Sequence, residues 1–170
     1  LAVRPVCADF MGELAVPPLA TKARSKIVFF PGSTIGNFSE PGRKQLLTRI
    51  DRLCQPEGGG FLIGIDLKKD QTTLESAYDD ASGVTAAFNL NLLSRINREL
   101  GADFDVSRFL HRAVYNQDQG RVEMHLLSQE AQVVQIGAEK IRIKAGEVIC
   151  TEYSYKFTVE EFASSAKDCG

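Results

Sequence analysis

Two short apolar runs, separated by a predicted helix, constrain the fold of this chain most. Lys26-Ile-Val-Phe-Phe30 is short, rich in β-formers and ends at Pro31-Gly32, which predicts a buried parallel strand. A helix is predicted next, with Ser39 as its N-cap and Pro41 in its first turn. Phe61-Leu-Ile-Gly-Ile-Asp66 predicts a second buried strand. A strand, helix, strand series is half of a doubly wound α/β sheet.

The rest of the chain has a different texture. Residues 68–100 are predicted to be helical, with a break near Ser82-Gly83. From 109 to 157 short stretches alternate apolar and polar residues, as in Arg121-Val-Glu-Met-His-Leu126, which predicts an antiparallel meander. A last helix is predicted from residue 158. The sequence therefore predicts an α/β fold with a second, α+β part.

Charge and composition exclude several classes of function. Lys plus Arg is 20 and Asp plus Glu is 22, and no basic stripe is present, so no nucleic-acid partner is expected. No apolar run approaches the roughly 20 residues that cross a bilayer, so no membrane association is expected. The four cysteines are scattered without a zinc spacing, which predicts no metal site and reduced thiols in a cytoplasmic protein.

The turn after the first strand is a candidate ligand site. Ligands of open α/β sheets bind beyond the carboxyl ends of strands, and Gly32 lets the backbone approach a ligand there. Asn37 offers two donors and an acceptor, which suits an amine or a carboxylate. No phosphate-loop lysine is present. The same spacing is also typical of an ordinary tight turn.

Three further residues carry weaker signals. Asp9 could accept a hydrogen bond from an exocyclic amine beside the ring of Phe10, although a turn acid next to a core aromatic has the same pattern. The phenol of Tyr78 could reach a carboxylate, and it equally fits a half-buried amphipathic side chain.

Glu152 and Ser154 lie two apart, so an extended backbone would place them on one face as a two-pronged acceptor for the nitrogens of an imidazole. The solvated face of an edge strand has the same pattern. Met124 is more typical of a core than of a ligand contact. His111 and His125 have no nucleophile or metal spacing and are predicted to be structural. The patterns alone indicate a small-molecule-binding α/β protein.

Six stretches resemble the histidine-specific methyltransferase family and occur in the family's order. They are 29–38, 64–70, 77–80, 83–91, 121–126 and 146–156. The resemblance implies an S-adenosylmethionine-dependent enzyme that trimethylates the α-amine of histidine to hercynine, on the route to ergothioneine. It also implies a partial Rossmann-like methyltransferase sheet joined to an α+β substrate domain with antiparallel strands.

The resemblance assigns a role to each substrate candidate. Asn37 would hold the substrate's α-amine and Tyr78 its carboxylate, and together they would aim the amine for catalysis. Met124 would line the pocket. Glu152 and Ser154 would read the imidazole.

The resemblance also implies how the cofactor is held. Asp9 and Phe10 would bind the adenine, and the backbone at Gly32 would face the methionine end. The family's glycine-rich loop is expected before Leu1 and its last strands after Gly170, so this stretch alone is expected to be inactive.

The domain limits implied are 1–67 for the methyltransferase part, 68–157 for the substrate domain and 158–170 for a returning helix. Tyr153 and Asp79 stand where the family usually has Asn, which bears on fine specificity. The alternatives are methylation of another amino acid such as tryptophan, or a non-catalytic small-molecule-binding module. Nothing in the sequence indicates an oligomeric state.

Overall fold

The computed structural model describes residues 3–12, 16–18, 24–55 and 58–170. The chain divides into two units. The first draws on residues 1–34, 38–65 and 159–170, and the second consists of residues 35–37 and 66–158. The short turn after the first strand is therefore grouped with the second unit, although it is flanked on both sides by residues of the first.

The first unit contains a parallel strand pair. Its elements are β1 (Ile27–Phe30), α1 (Glu40–Cys54), β2 (Gly60–Ile63) and α4 (Val159–Lys167). Ile27 lies opposite Gly60 and the pairing is parallel, as the apolar runs predict. The predicted burial is wrong for these strands, because Ile27, Phe29 and Leu62 are exposed. The second strand ends at Ile63 rather than Asp66. Ser39 occupies the N-cap position of α1, but its side chain makes no capping hydrogen bond to any described residue.

The second unit is built from two helices and five strands. They are α2 (Gln71–Ser76), α3 (Val84–Leu100), β3 (Phe109–Asn116), β4 (Arg121–Ser128), β5 (Gln132–Ile136), β6 (Glu139–Ile143) and β7 (Val148–Tyr155). Gly83 and Gly101 flank α3 with φ values of 71° and 64°, which glycine adopts readily. The predicted helix break is confirmed. Within the described ranges, no helix is long and apolar enough to cross a bilayer.

The five strands form two sheets rather than one meander. β3, β4 and β7 form an antiparallel sheet with β4 in the centre, and among the described strands β5 pairs with β6 alone. The meander prediction is therefore wrong at its last step, because β7 returns to β4 instead of continuing from β6. The reason is non-local. β3 pairs with one edge of β4, and the other edge is left for β7. β5 and β6 pair with each other as a local hairpin.

The core of the second unit lies between the sheets and α3. Leu126 and Val134 are 0% exposed and Leu93 is 1% exposed, and they cluster with Phe104 and Phe109. Along β4 every second residue is buried, so the alternation predicted for this strand is confirmed.

A β-bulge interrupts the pairing of β4 with β7. Met124 lies opposite Glu152 and His125 lies opposite Cys150, which leaves Thr151 as the extra residue. Adjacent residues of a strand face opposite sides, so the bulge changes the face that alternate residues of β7 occupy. Glu152 consequently shares the inward face with Met124, and Cys150 shares the outer face with His125.

We expect Gly36→Ala to destabilise the protein by about 1–3 kcal/mol, since overpacking forces atoms apart. A Cβ at Gly36 would lie 2.8 Å from the Tyr155 carbonyl oxygen. Gly42 in α1 is the matched control, because its nearest neighbour would be an ordinary 3.4 Å contact with Phe38. Gly42→Ala should stabilise by about 0.5–1 kcal/mol. Urea denaturation measures both changes, and equal effects would contradict the close approach.

Candidate functional site

The 3-10 turn Thr34–Asn37 packs against the end of β7. Gly36 approaches the backbone of Tyr155 so closely that it has no room for a side chain, and its missing Cβ would lie 3.3 Å from Ser154 Oγ. Asn37, the next residue, is exposed. The turn therefore places Asn37 one residue away from the contact between Gly36 and β7.

The inward face of β4 and β7 brings together three of the predicted substrate residues. Glu152 lies opposite Met124, and Ser154 lies opposite Val122. Met124 and Ser154 are buried and Glu152 is half-buried. Glu152 and Ser154 therefore share a face, as an extended run requires, and that face is the buried one rather than the solvated one.

Lys156 joins Tyr78 to this face. Its ammonium Nζ donates to Tyr78 Oη at 2.7 Å and to Ser154 Oγ at 3.0 Å. It also pairs with Asp66 Oδ2 at 2.8 Å, and its side chain is 0% exposed. We call Lys156, Asp66, Tyr78 and Ser154 the lysine cluster. Lys156 is not among the residues predicted from the sequence, although its spacing of two from Ser154 places both on one face of an extended strand.

A second set of hydrogen bonds fixes the backbone of Tyr78. His111 is buried, and its Nδ1 lies 2.9 Å from Asn89 Nδ2 while its Nε2 lies 2.8 Å from the Tyr78 carbonyl oxygen. The Asn89 amide nitrogen can only donate, so His111 Nδ1 accepts from it and Nε2 donates to the Tyr78 carbonyl oxygen. Asn89 Oδ1 in turn accepts from the Thr151 hydroxyl at 2.7 Å. His111 and Asn89 thus connect the Tyr78 backbone to the bulge.

Tyr153 and Asp79, where the resemblance expects Asn, are not members of the lysine cluster. Tyr153 pairs with Glu123 on the outer face of the sheet, and the Arg121 guanidinium lies 4.3 Å above its ring. Asp79 is exposed, with Oδ1 3.9 Å from His111 Nε2. Neither side chain is one of the groups that we describe on the inward face.

The predicted adenine pair lies in the first unit, beside the carboxyl end of β1. The ring of Phe10 packs edge-on at 5.5 Å from the ring of Phe30 and at 6.1 Å from that of Phe38. Phe10 remains 43% exposed. Asp9 Oδ1 accepts from the Met11 amide at 2.8 Å, so Asp9 is also the turn acid that the sequence allowed.

The surroundings of this pair include a cavity and a turn held by hydrogen bonds. A cavity of about 640 Å³ lies against Phe10 and Phe30, a volume within the usual range for small-molecule sites. Arg49, which the sequence analysis missed, donates to the carbonyl oxygens of Met11 and Gly12 and so fixes the turn. Gly32 has φ 76°, and no heavy atom of the described residues lies within 4 Å of where its Cβ would be.

A further ionisable cluster lies on the outer face of the sheet. Possible ligand atoms of Glu123, His125 and Cys150 lie within 4.8 Å of one another. The Glu123 carboxylate already accepts from Arg121 and from His125. Burial raises the pKa of Glu123, but the hydrogen bonds from His125, Arg121 and Asn116 outweigh it and lower the pKa. Burial and the nearby Glu123 raise the pKa of the Cys150 thiol. The charges of the cluster are those of an ion pair. The sequence did not predict this cluster, because the register of β7 against β4 is what brings Cys150 to His125.

We expect the Asp66 carboxylate to stabilise the protein in a pH-dependent way. Burial raises its pKa, but hydrogen bonds from Lys156 and Lys69 outweigh burial and hold the pKa below the ordinary 3.8. A depressed folded-state pKa gives stability that is present above the unfolded pKa and lost as pH falls through the folded pKa. Asp66→Asn should therefore cost about 1–3 kcal/mol at about pH 7, and this cost should shrink between about pH 5 and about pH 3.

Chemical denaturation of both proteins across this pH range measures the difference. Asp118 is an exposed turn residue, so Asp118→Asn is the control and should change stability by less than about 0.5 kcal/mol at every pH. A cost for Asp66→Asn that stays constant down to about pH 3 would contradict the ion pair with Lys156.

The chain is similar in sequence to known methyltransferases. The chain is 42% identical over 167 residues to the histidine N-alpha-methyltransferase of Mycolicibacterium smegmatis, covering 97% of this chain and 51% of that protein. It is 43% identical over 157 residues to that of Mycobacterium tuberculosis, covering 91% and 48%. It is 29% identical over 149 residues to an L-tryptophan methyltransferase of Psilocybe serbica, covering 84% and 40%. The chain thus spans about half the length of the mycobacterial relatives it matches.

The family model for S-adenosylmethionine-dependent, histidine-specific methyltransferases matches residues 1–170. The match extends over both units. This chain therefore belongs to the histidine-specific methyltransferase family.

Proposed function

We propose that the complete gene product transfers methyl groups from S-adenosylmethionine to the α-amine of histidine, giving hercynine on the route to ergothioneine. Family membership supports this, together with the names of the two mycobacterial relatives. The observation that carries the proposal is the inward face of β4 and β7, where Glu152 and Ser154 lie beside Met124 and Lys156 connects Ser154 to Tyr78.

The bound cofactor supplies a methyl group on a sulfonium. The amine must lose a proton before each transfer, because only a neutral nitrogen has a lone pair with which to form the new N–C bond. Asn37 and Tyr78 would hold the amine and the carboxylate, and Glu152 and Ser154 would anchor the imidazole. Orientation of this kind can contribute about 7–11 kcal/mol to lowering the barrier, and binding of the remote ring supports the alignment.

We further propose that the first unit holds the cofactor. Asp9 and Phe10 would bind the adenine, and Gly32 would face the methionine end. The open side of Gly32 and the half-exposed ring of Phe10 support this. The parallel pair β1–β2, joined through α1, supports a Rossmann-like sheet. The domain limits 1–67, 68–157 and 158–170, and the cytoplasmic location, remain predictions.

The first test is the reaction itself. We expect the complete gene product, incubated with S-adenosylmethionine and each of the twenty amino acids, to yield mono-, di- and trimethylated histidine alone by mass spectrometry. Methylated tryptophan would keep the chemistry and overturn the assignment of the pocket. A folded protein that binds the cofactor and methylates no amino acid would overturn the proposed reaction and favour the non-catalytic binding module.

The second test concerns Glu152. We expect Glu152→Gln to weaken histidine binding by about 10- to 100-fold, because a charge-assisted hydrogen bond to the imidazole N–H becomes a neutral one. Cofactor affinity should change by less than about twofold, since the proposal places Glu152 against the substrate and the cofactor in the first unit. Isothermal titration calorimetry measures both affinities. Glu139→Gln, an exposed change on β6, is the matched control, and comparable losses for both ligands in Glu152→Gln would count against the role of Glu152.

A further inference from the structure

We propose that Lys156 is a positioning residue that fixes Tyr78 and Ser154 as hydrogen-bond donors toward the substrate. The inference rests on the proposed function and deepens it, because it states which hydrogen-bonding pattern the substrate has to present. Its basis is the lysine cluster and the direction in which each hydrogen bond of that cluster runs.

The ammonium of Lys156 sets those directions. An ammonium has three N–H donors and no acceptor. Its three partners are Tyr78 Oη at 2.7 Å, Ser154 Oγ at 3.0 Å and Asp66 Oδ2 at 2.8 Å. Both hydroxyl oxygens therefore accept a hydrogen bond from Lys156.

A hydroxyl group has a single proton. When its oxygen accepts from Lys156, that proton points away from the ammonium and is available to another acceptor. Tyr78 and Ser154 are thus both turned into outward donors. Ser154 is not the second prong of the acceptor pair that its spacing from Glu152 suggested. It is the donor of a mixed pair.

The resulting pattern matches a neutral histidine side chain. A carboxylate only accepts hydrogen bonds, so it suits the Tyr78 proton. A neutral imidazole has one bare nitrogen, which suits the Ser154 proton, and one N–H, which suits the ionised Glu152. An imidazolium has two N–H groups and would leave the Ser154 proton without an acceptor. The site is therefore selective for the neutral ring.

Burial explains why a lysine can hold these directions. The Lys156 side chain is 0% exposed, and Asp66 balances its charge while also pairing with Lys69 at 2.5 Å. Because water cannot reach the buried ammonium, it does not replace the hydrogen bonds from the ammonium to the two hydroxyl oxygens.

The first measurement needs no variant. Histidine is titrated calorimetrically into the complete gene product saturated with S-adenosylhomocysteine, the demethylated cofactor, so that no turnover occurs. The titratable groups on or beside the inward face are Glu152, Lys156, Asp66 and Tyr78, and His111, which bonds the Tyr78 carbonyl oxygen. The imidazole of free histidine titrates at about pH 6.5, so we expect affinity to fall roughly tenfold for each pH unit below that value. If Glu152 and Ser154 both accepted hydrogen bonds, they would suit the two N–H groups of the imidazolium, and affinity would instead rise on acidification. This result would overturn the proposal.

The second measurement removes the ammonium. In Lys156→Met the two hydroxyls can rotate, so we expect the fall of histidine affinity on acidification to flatten. We also expect histidine to bind at least roughly tenfold more weakly at about pH 8. Histamine, which lacks the carboxylate, should lose less than histidine. Lys69→Met is the matched control, because Lys69 pairs with Asp66 and lies outside the lysine cluster. It should leave the pH profile and the histidine-to-histamine ratio unchanged.

The outcomes separate this inference from the proposed function. A wild-type protein that binds no histidine overturns both. A wild-type protein that binds histidine, together with a folded Lys156→Met variant that keeps its pH profile and its histidine-to-histamine ratio, overturns the role of Lys156 alone. If Lys156→Met does not fold, the wild-type pH profile and Lys156→Gln decide. The Gln amide can still donate to one hydroxyl, so that variant should show a profile between those of the wild type and a flat one.

Discussion

The need to neutralise one buried ammonium organises the second unit. A buried charge without a partner costs several kcal/mol, and the fully buried Lys156 therefore requires acceptors on all of its protons. Asp66, Tyr78 and Ser154 supply them from three segments that are distant in sequence. Backbone hydrogen bonds from Lys68 to Phe157 and from Phe157 to Asp66 close the same junction. The requirement of one charge thus brings the end of β7, the turn after α2 and residue 66 together.

The bulge at Thr151 is the second constraint, and it decides which side chains the ammonium can meet. In an unbroken strand Cys150, Glu152 and Ser154 would share one face. The extra residue moves Cys150 to the outer face, while Glu152 and Ser154 stay with Met124. The Thr151 hydroxyl lies 2.7 Å from Asn89 Oδ1 and 3.0 Å from the Met124 carbonyl oxygen. The bulge is therefore held in place from α3 and β4.

Local patterns in the sequence predict the elements well and their partners poorly. The alternation of β4, the parallel apolar runs and the break at Gly83 depend on neighbouring residues, so they can be recognised in one stretch. The return of β7 to β4 and the bulge depend on distant edges and on register, which one strand does not encode. Lys156 was missed for the same reason. A lysine near the end of a strand is usually solvated, and only the acceptors from residues 66 and 78 make burial possible.

Hydrogen-bond direction also decides how such a site distinguishes aromatic amino acids. A pocket built to hydrogen-bond a ligand rejects an analogue that leaves its buried groups unpaired more strongly than it rejects a change of size. Under the proposed function, Glu152 needs a donor and Ser154 needs an acceptor. Neutral imidazole has both, whereas an indole ring has an N–H and no ring acceptor, so it would leave the Ser154 proton unmatched. Exclusion of tryptophan would then follow from the direction of one serine hydroxyl, which Lys156 sets, and not from the presence of Glu152 alone.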